Sequence, residues 1–317
     1  MDFALRLLRK DGDVVDGVTL FDAGGSSLIS TPVINDAGSM LWHAWDSTGQ
    51  NNLFLDDRLA MGPTRPLNVE GIAYTNPAFA RSSLVGTQGW VAFASSGSGF
   101  ENAIVTSNGE LLAMTPGTLN GMTLRSFPTG ATRVDGNNNG DITFGAFFDD
   151  GDTRIPFVSL NDQVVVEGGD EVDGRTLELG HQQSGPLIPR INENGDLLFS
   201  ALTAENGVSI FLNDQVLYEP GQVVGEFIVQ GIGHLQHAFN NVGDVAWVAD
   251  LQDSNGAGDP FVALLVNERI VVRSDFPFDG HMVTSPAFDI AINDQGNLLF
   301  RSMLDDGRQA VFTDAGL

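Results

Sequence analysis

Apolar and polar residues alternate along this chain in short runs, and the runs are cut at near-regular intervals by one polar phrase. The phrase is N-x-x-G, followed by alternating residues that end on an aromatic. It reads INDAGSMLW from Ile34 to Trp42, GNNNGDITF from Gly136 to Phe144 and INENGDLLF from Ile191 to Phe199. FNNVGDVAW from Phe239 to Trp247 and INDQGNLLF from Ile292 to Phe300 repeat it, and VGTQGWVAF from Val85 to Phe93 is a weaker copy. The repeat glycines, Gly38, Gly89, Gly140, Gly195, Gly243 and Gly296, are 51, 51, 55, 48 and 53 residues apart. Alternation with period two predicts strands. An Asn or Asp opening a type I turn bonds back to the backbone, and a following Gly supplies the left-handed residue of a tight hairpin. The strand after each turn is therefore expected to bury Trp42, Phe93, Phe144, Phe199, Trp247 and Phe300 in a core, not to offer them to a ligand.

Each unit continues in the same way. A polar loop such as DSTGQNN or DSNGAGDP precedes a third strand such as VSIFL. A tight turn (DDR, NGE, ND, NE) leads to a fourth strand such as QVVVEG, and a longer return such as GDEVDGRTLEL closes the unit. Four antiparallel strands in about fifty residues, repeated, predict β-propeller blades. Aligning LRKDGDVVDGVTL with VVEGGDEVDGRTL makes Ala4–Lys10 a fourth strand without its first three, while the segment from Ile292 has three strands and no fourth. Joined, the two predict a single six-bladed β-propeller domain over 1–317, closed by the N-terminal strand. The blades fall at about 24–74, 75–126, 127–179, 180–230, 231–284, and 285–317 plus 1–23. A β-helix or several small domains would not need the ends to complement each other.

Composition narrows the partners. The 317 residues carry a formal charge of −26, with one lysine, Lys10. A surface that acidic repels phosphate backbones and anionic lipids, which argues against nucleic acid and membrane-surface partners. There are no cysteines, so disulfides and thiolate chemistry are excluded. The opening MDFALRLLRK lacks the apolar core and cleavage site of a signal peptide, and no run is long enough for a membrane span. The expectation is a chain kept inside the cell or one whose leader and anchor have been removed.

The N-x-x-G-x-x-[AILT]-[FW] repeats resemble the tandem NxxGxxxF-repeat proteins of bacterial surfaces and secretions. NNVGDVAW and TQGWVAF stand near that consensus, and the resemblance covers essentially the whole chain. It implies a secreted or cell-surface location and says little about chemistry.

Candidate chemistry begins with VDGNNNGDITF. Asp135, Asn137, Asn139 and Gly140 fit the start of a calcium loop. The ninth position is Thr143 and the twelfth Ala146, and the other repeats carry Val33, Leu84, Arg190, Ala238 and Ala291 where this one has Asp135. The turn-only reading wins; no cofactor is expected, with a calcium ion near Asp135 the one left open. Acidic clusters at Asp149, Asp150 and Asp152, and at Asp253 and Asp259, read as solvated loop tips.

Histidines carry the most asymmetric signal. His181 in LGHQQSG, and His234 and His237 in GIGHLQH, lie on connections from one blade's outermost strand to the next blade's innermost strand, as do Arg81 and Arg133; His281 lies near its own. In a propeller such connections ring one mouth of the central channel, so these five cations (His181, His234, His237, Arg81, Arg133) form a candidate ligand-binding set for an anionic ligand such as an acidic sugar. The competing reading makes them strand-edge residues bonded to backbone carbonyls. Signatures of common enzyme classes are absent. Tyr74, Arg81, His181 and His234 can be arranged as a lyase for an anionic polysaccharide, but by selection from a list. The expected function is an extracellular or cell-surface binding module for a glycan or protein, with a lyase and a structural subunit of an extracellular assembly as alternatives. Oligomeric state is not legible.

Overall fold

A computed structural model describes residues 14–20, 33–34, 40–85, 89–96, 102–127, 134–149, 154–178, 188–256, 258–278, 281–285, 290–305 and 309–313. Ala4–Lys10, the expected closing strand, lies outside them. The described residues are all-β, without a helix. They fall into two compact units, 1–166 and 167–317.

The first unit holds three antiparallel sheets. The first is Val33–Ile34, Met40–Trp45, Asn51–Leu55 and Arg58–Met61, in chain order. The second is Leu67–Val69, Ile72–Val85, Gly89–Ser96, Asn102–Thr106 and Leu111–Thr115, and the third runs from Gly117–Leu119 to Gln163–Glu167. The second unit repeats the plan. Its fourth sheet is Ile188–Ile191, Leu197–Thr203, Gly207–Leu212 and Gln215–Tyr218. The fifth is Val223–Val224, Phe227–Phe239, Val245–Asp253, Phe261–Val266 and Arg269–Arg273, and the sixth runs from Phe276–Phe278 to Gln309–Thr313.

The return that closes each repeat is the main departure from four strands per repeat. Its second strand runs straight into the first strand of the following sheet, giving the 14-residue Ile72–Val85 and the 13-residue Phe227–Phe239. The return hairpin therefore hydrogen-bonds into the next sheet, where it adds a fifth strand. In the fourth sheet the same hairpin, Glu171–Val172 with Arg175–Thr176, joins through the Leu177–Thr203 bridge, and in the first sheet through Leu20–Asp46.

Successive sheets within each unit pack face to face. Leu41, Leu53 and Met61 of the first meet Tyr74, Trp90 and Ala92 of the second. Tyr218 and Ile210 of the fourth pack with Trp247 and Leu251 of the fifth, whose other face meets Leu298 and Phe300 of the sixth. Trp42, Phe144, Phe199, Trp247 and Phe300 are all buried, as expected of core aromatics; the Phe93 side chain lies outside the described set. Trp42 stacks on Phe54 at 4.3 Å and Trp247 on Tyr218 at 4.1 Å.

In the first, third and fourth sheets the outer edge is the fourth strand, and the returning hairpin guards it. The left-handed residue at the hairpin tip sends its side chain to the N–H of the edge strand: Asp16 accepts from Leu59 N at 2.9 Å and Asp173 from Val216 N at 3.1 Å. Asn120, with its amide oriented to satisfy both ends, accepts from Val164 N at 3.0 Å and donates to the Asp162 carbonyl at 3.1 Å. Bulges opposite Leu53–Phe54, Ile104–Val105, Ile210–Phe211 and Leu264–Leu265 bend the fourth strands of the first, second, fourth and fifth sheets alike, so the hairpin latch is what distinguishes their edges. Asp173→Ala is expected to cost about 1 kcal/mol, seen as a lower urea midpoint with an unchanged slope. Asp173→Asn, which keeps an acceptor as Asn120 does, should lose little; equal losses would refute the latch.

Candidate functional site

The N-x-x-G turns are where local structure and tertiary contact meet. Gly140, Gly195, Gly243 and Gly296 have φ between 78° and 95°, and each donates its N–H to the carbonyl of the Asn three residues earlier. In three repeats an Asp follows the Gly and is clasped by two amides. Asn240 Nδ2 donates to Asp244 Oδ2 at 3.1 Å and Asn267 Nδ2 to Asp244 Oδ1 at 2.9 Å. Asn192 and Asn213 hold Asp196 in the same way, as Asn137 and Asn161 hold Asp141. The second Asn of each clasp sits in the turn between third and fourth strands with φ of 52° to 57°, where Asn tolerates the left-handed region. Hydrogen bonds from Asn267 and then Asn240 hold the Asp244 carboxyl below its ordinary pKa, against a smaller opposing effect of burial.

The turns of the second unit are also tied to each other. Asn192 Nδ2 donates to the Asn240 carbonyl at 3.4 Å, and Asn240 Nδ2 to the Asn293 carbonyl at 2.8 Å. Beside them, Glu193 N donates to Asn241 Oδ1 at 2.7 Å, while Asn241 donates through N and Nδ2 to the Asp294 carboxylate, both at 2.9 Å. The repeat Asn thus shapes its own turn and binds the next turn of the series.

Against this ladder lies an open groove of about 600 Å³, lined by Asp244, Val266, Asn267, Glu268, Arg269, Gln295 and Gly296. Val266 supplies an apolar floor; Glu268, Arg269 and Gln295 are exposed. Glu268 also acts on the sheet below: burial, and then the Glu268 charge, push the Tyr218 hydroxyl up to about 12. Ionised acceptors, a guanidinium and a primary amide around one concavity can together bind several hydroxyl groups or a polar chain. No cluster of three or more metal-ligating His, Asp or Glu occurs among the described residues.

Of the five residues expected from sequence to bind ligand, only His237 has a described side chain. His237 is 2% exposed, and its Nε2 lies 3.0 Å from the Ile188 carbonyl of the neighbouring sheet. A ring so enclosed has no surface for a ligand, so its place in the ligand set is corrected to that of a strut between sheets. Arg81 and His234 lie within Ile72–Val85 and Phe227–Phe239, with side chains outside the described set; His181 and Arg133 lie outside the described residues altogether. Tyr74, one of the four residues of the lyase scheme, is fully buried in the core of the first unit. At the calcium-like loop, Asp135 Oδ1 accepts from Ser83 Oγ at 2.8 Å and Asn137 Oδ1 from Asp141 N at 2.9 Å, so two of the oxygens a cation would need serve the fold.

Glu268 and Arg269 were missed because neither belongs to a motif, and Asp244 and Gln295 because within the repeat they read only as turn residues. The available signal was a deviation between repeats: the turn before the fourth strand reads NDQ at Asn161 and Asn213 but NER at Asn267, which introduces Glu268 and Arg269.

No protein-family model matches the chain, and neither does the sequence of any curated protein. Among solved structures, a mutant of the Aleuria aurantia lectin in complex with α-methyl-L-fucoside is similar at 8% identity and a TM-score of 0.46, over 92% of each chain. Another structure of that fungal lectin, described as a six-bladed β-propeller with a novel fucose recognition mode, is similar at 7% identity and a TM-score of 0.40 over 91% of each chain. The polysaccharide lyase Uly1 is similar at 12% identity and a TM-score of 0.39, over 88% of this chain and 69% of that one. At such identities no residue of those proteins can be placed on a residue of this chain.

Proposed function

We propose that this chain is a binding module, a six-bladed β-propeller of the NxxGxxxF-repeat kind working at a cell surface or in secretion, that holds a hydroxyl-rich ligand such as a glycan. Six in-phase repeats and the face-to-face packing of successive sheets support the architecture. The groove carries the functional reading. Its Asp244 carboxylate is fixed by two amides before any ligand arrives, so little ordering is needed on binding. Glu268, Arg269 and Gln295 offer acceptor and donor groups from turns anchored by the Asn ladder.

The test is a glycan array probed with the purified chain and with Glu268→Ala, Arg269→Ala and Gln295→Ala variants. Each variant should bind its glycan about tenfold more weakly, the loss of one hydrogen bond to a charged or polar group. Unchanged binding in the triple variant would remove the groove from consideration. Unsaturated sugar ends appearing from a uronate polymer would replace a binding module with a lyase.

A further inference from the structure

We infer that the outer edge of the fifth sheet, Arg269–Arg273, is a docking strand for an extended acidic segment of a partner protein. The inference starts from what this edge lacks. In the first, third and fourth sheets the N–H three residues beyond the left-handed turn residue (Asp56, Asn161, Asn213) is capped by Asp16, Asn120 or Asp173. The fifth sheet has the same turn, with Asn267 at φ 52°, and the equivalent N–H is that of Ile270. At the tip of its return hairpin stands Gly225, φ 60°, which has no side chain to send. Glu70 keeps a side chain at that position in the second sheet.

Charge says what fits. Arg269 and Arg273 stand at the two ends of the strand, both exposed, and neither makes an ion pair with a described carboxylate. Arg273 lies over the Phe261 ring at 5.2 Å, which holds its guanidinium at the edge. In a chain of net charge −26 with 15 basic residues, two such arginines bracketing one uncapped edge make a positive clamp on a negative surface. A strand added here would gain main-chain bonds at Ile270, and carboxylates near its ends would meet the arginines. A second copy of this chain is disfavoured at the same edge: antiparallel self-pairing sets Arg269 against Arg273, and like charges directly opposed are destabilising.

The measurement is fluorescence anisotropy of the full chain with a labelled peptide of alternating Glu and Val. Two control peptides alternate Lys and Val, or carry a central Pro in the Glu–Val sequence. The Glu–Val peptide should bind, and both controls should bind at least about tenfold more weakly. Gly225→Asp installs the missing latch, at a position where an added Cβ meets nothing within 4 Å and where Asp16 and Asp173 already show Asp in that conformation. It should weaken peptide binding at least about tenfold with an unchanged or higher unfolding midpoint. Arg273→Ala, a surface change, should weaken binding similarly. Gly225 and Arg273 both lie outside the groove, so glycan binding should survive in these variants and the two readings fail separately. The inference is overturned if the Glu–Val peptide does not bind, if it binds Gly225→Asp and Arg273→Ala as tightly as the parent, or if the Pro peptide binds equally well. Self-association by sedimentation that Gly225→Asp abolishes would overturn it in favour of a second copy.

Discussion

Acidification from pH 6.5 to pH 4 is expected to remove about 3 kcal/mol of stability through one residue, His43. His43 lies in Met40–Trp45, is 1% exposed, and burial pushes its pKa from 6.5 down to about 3. The unfolded chain takes up this proton near pH 6.5, whereas the folded chain refuses it until about pH 3. Between those values the unfolded state binds more protons, so stability falls as pH falls, by about 1.4 kcal/mol per pH unit. The contribution is intact above pH 6.5 and fully lost below about pH 3. Urea unfolding at pH 7, 5 and 4 should show a slope in the parent that is largely absent in His43→Gln. The difference between the two curves isolates this residue, because protonation of the many carboxylates acts on both proteins alike. Parallel curves would show that His43 takes up its proton in the folded state without strain.

The second large effect is expected at the ladder. Asn240→Asp, an isosteric change, should destabilise the chain by about 3 kcal/mol at pH 7. Asn240 is 4% exposed and donates to Asp244 Oδ2 at 3.1 Å and to the Asn293 carbonyl at 2.8 Å. A carboxylate there loses both bonds and faces the carboxylate of Asp244. Asn240→Ala loses the bonds without the repulsion and should cost less at neutral pH, despite also losing the acceptor for Asp244 N at 2.8 Å. The order should reverse in acid, once the introduced carboxylate is protonated, and Asp244→Asn should partly rescue Asn240→Asp. In the parent, the depressed pKa of Asp244 contributes stability above its ordinary value of 3.8, and that stability is lost as pH falls through the folded value. If Asn240→Asp proves harmless at pH 7, the ladder is incidental to stability.

Much of the fold is local chemistry, which explains why it could be read from residue types. A Gly with positive φ and an Asn bonding its own backbone make a hairpin at Gly195 or Gly243 from a few adjacent residues. The aromatic four residues later then points inward because side chains alternate along a strand. The site was far less legible. His237 looked like a ligand-facing cation, yet a neighbouring strand places the Ile188 carbonyl beside its ring, and no property of GIGHLQH encodes that. Asp244, Glu268, Arg269 and Gln295 come from turns of two different sheets, and only their convergence makes a groove.

The sequence by itself determined the repeat, the hairpin turns, the all-β class and the buried aromatics, since each depends on residues within one short span of backbone. Only the tertiary structure decided which turn each repeat Asn also binds, which hairpin guards which edge, and where polar side chains gather outside the core. Those features join atoms about fifty residues apart, as Asn192 to Asn240 and Asn240 to Asn293 are. A regular spacing announces that such pairs exist, but which donor meets which acceptor is fixed by the packing of one sheet on the next.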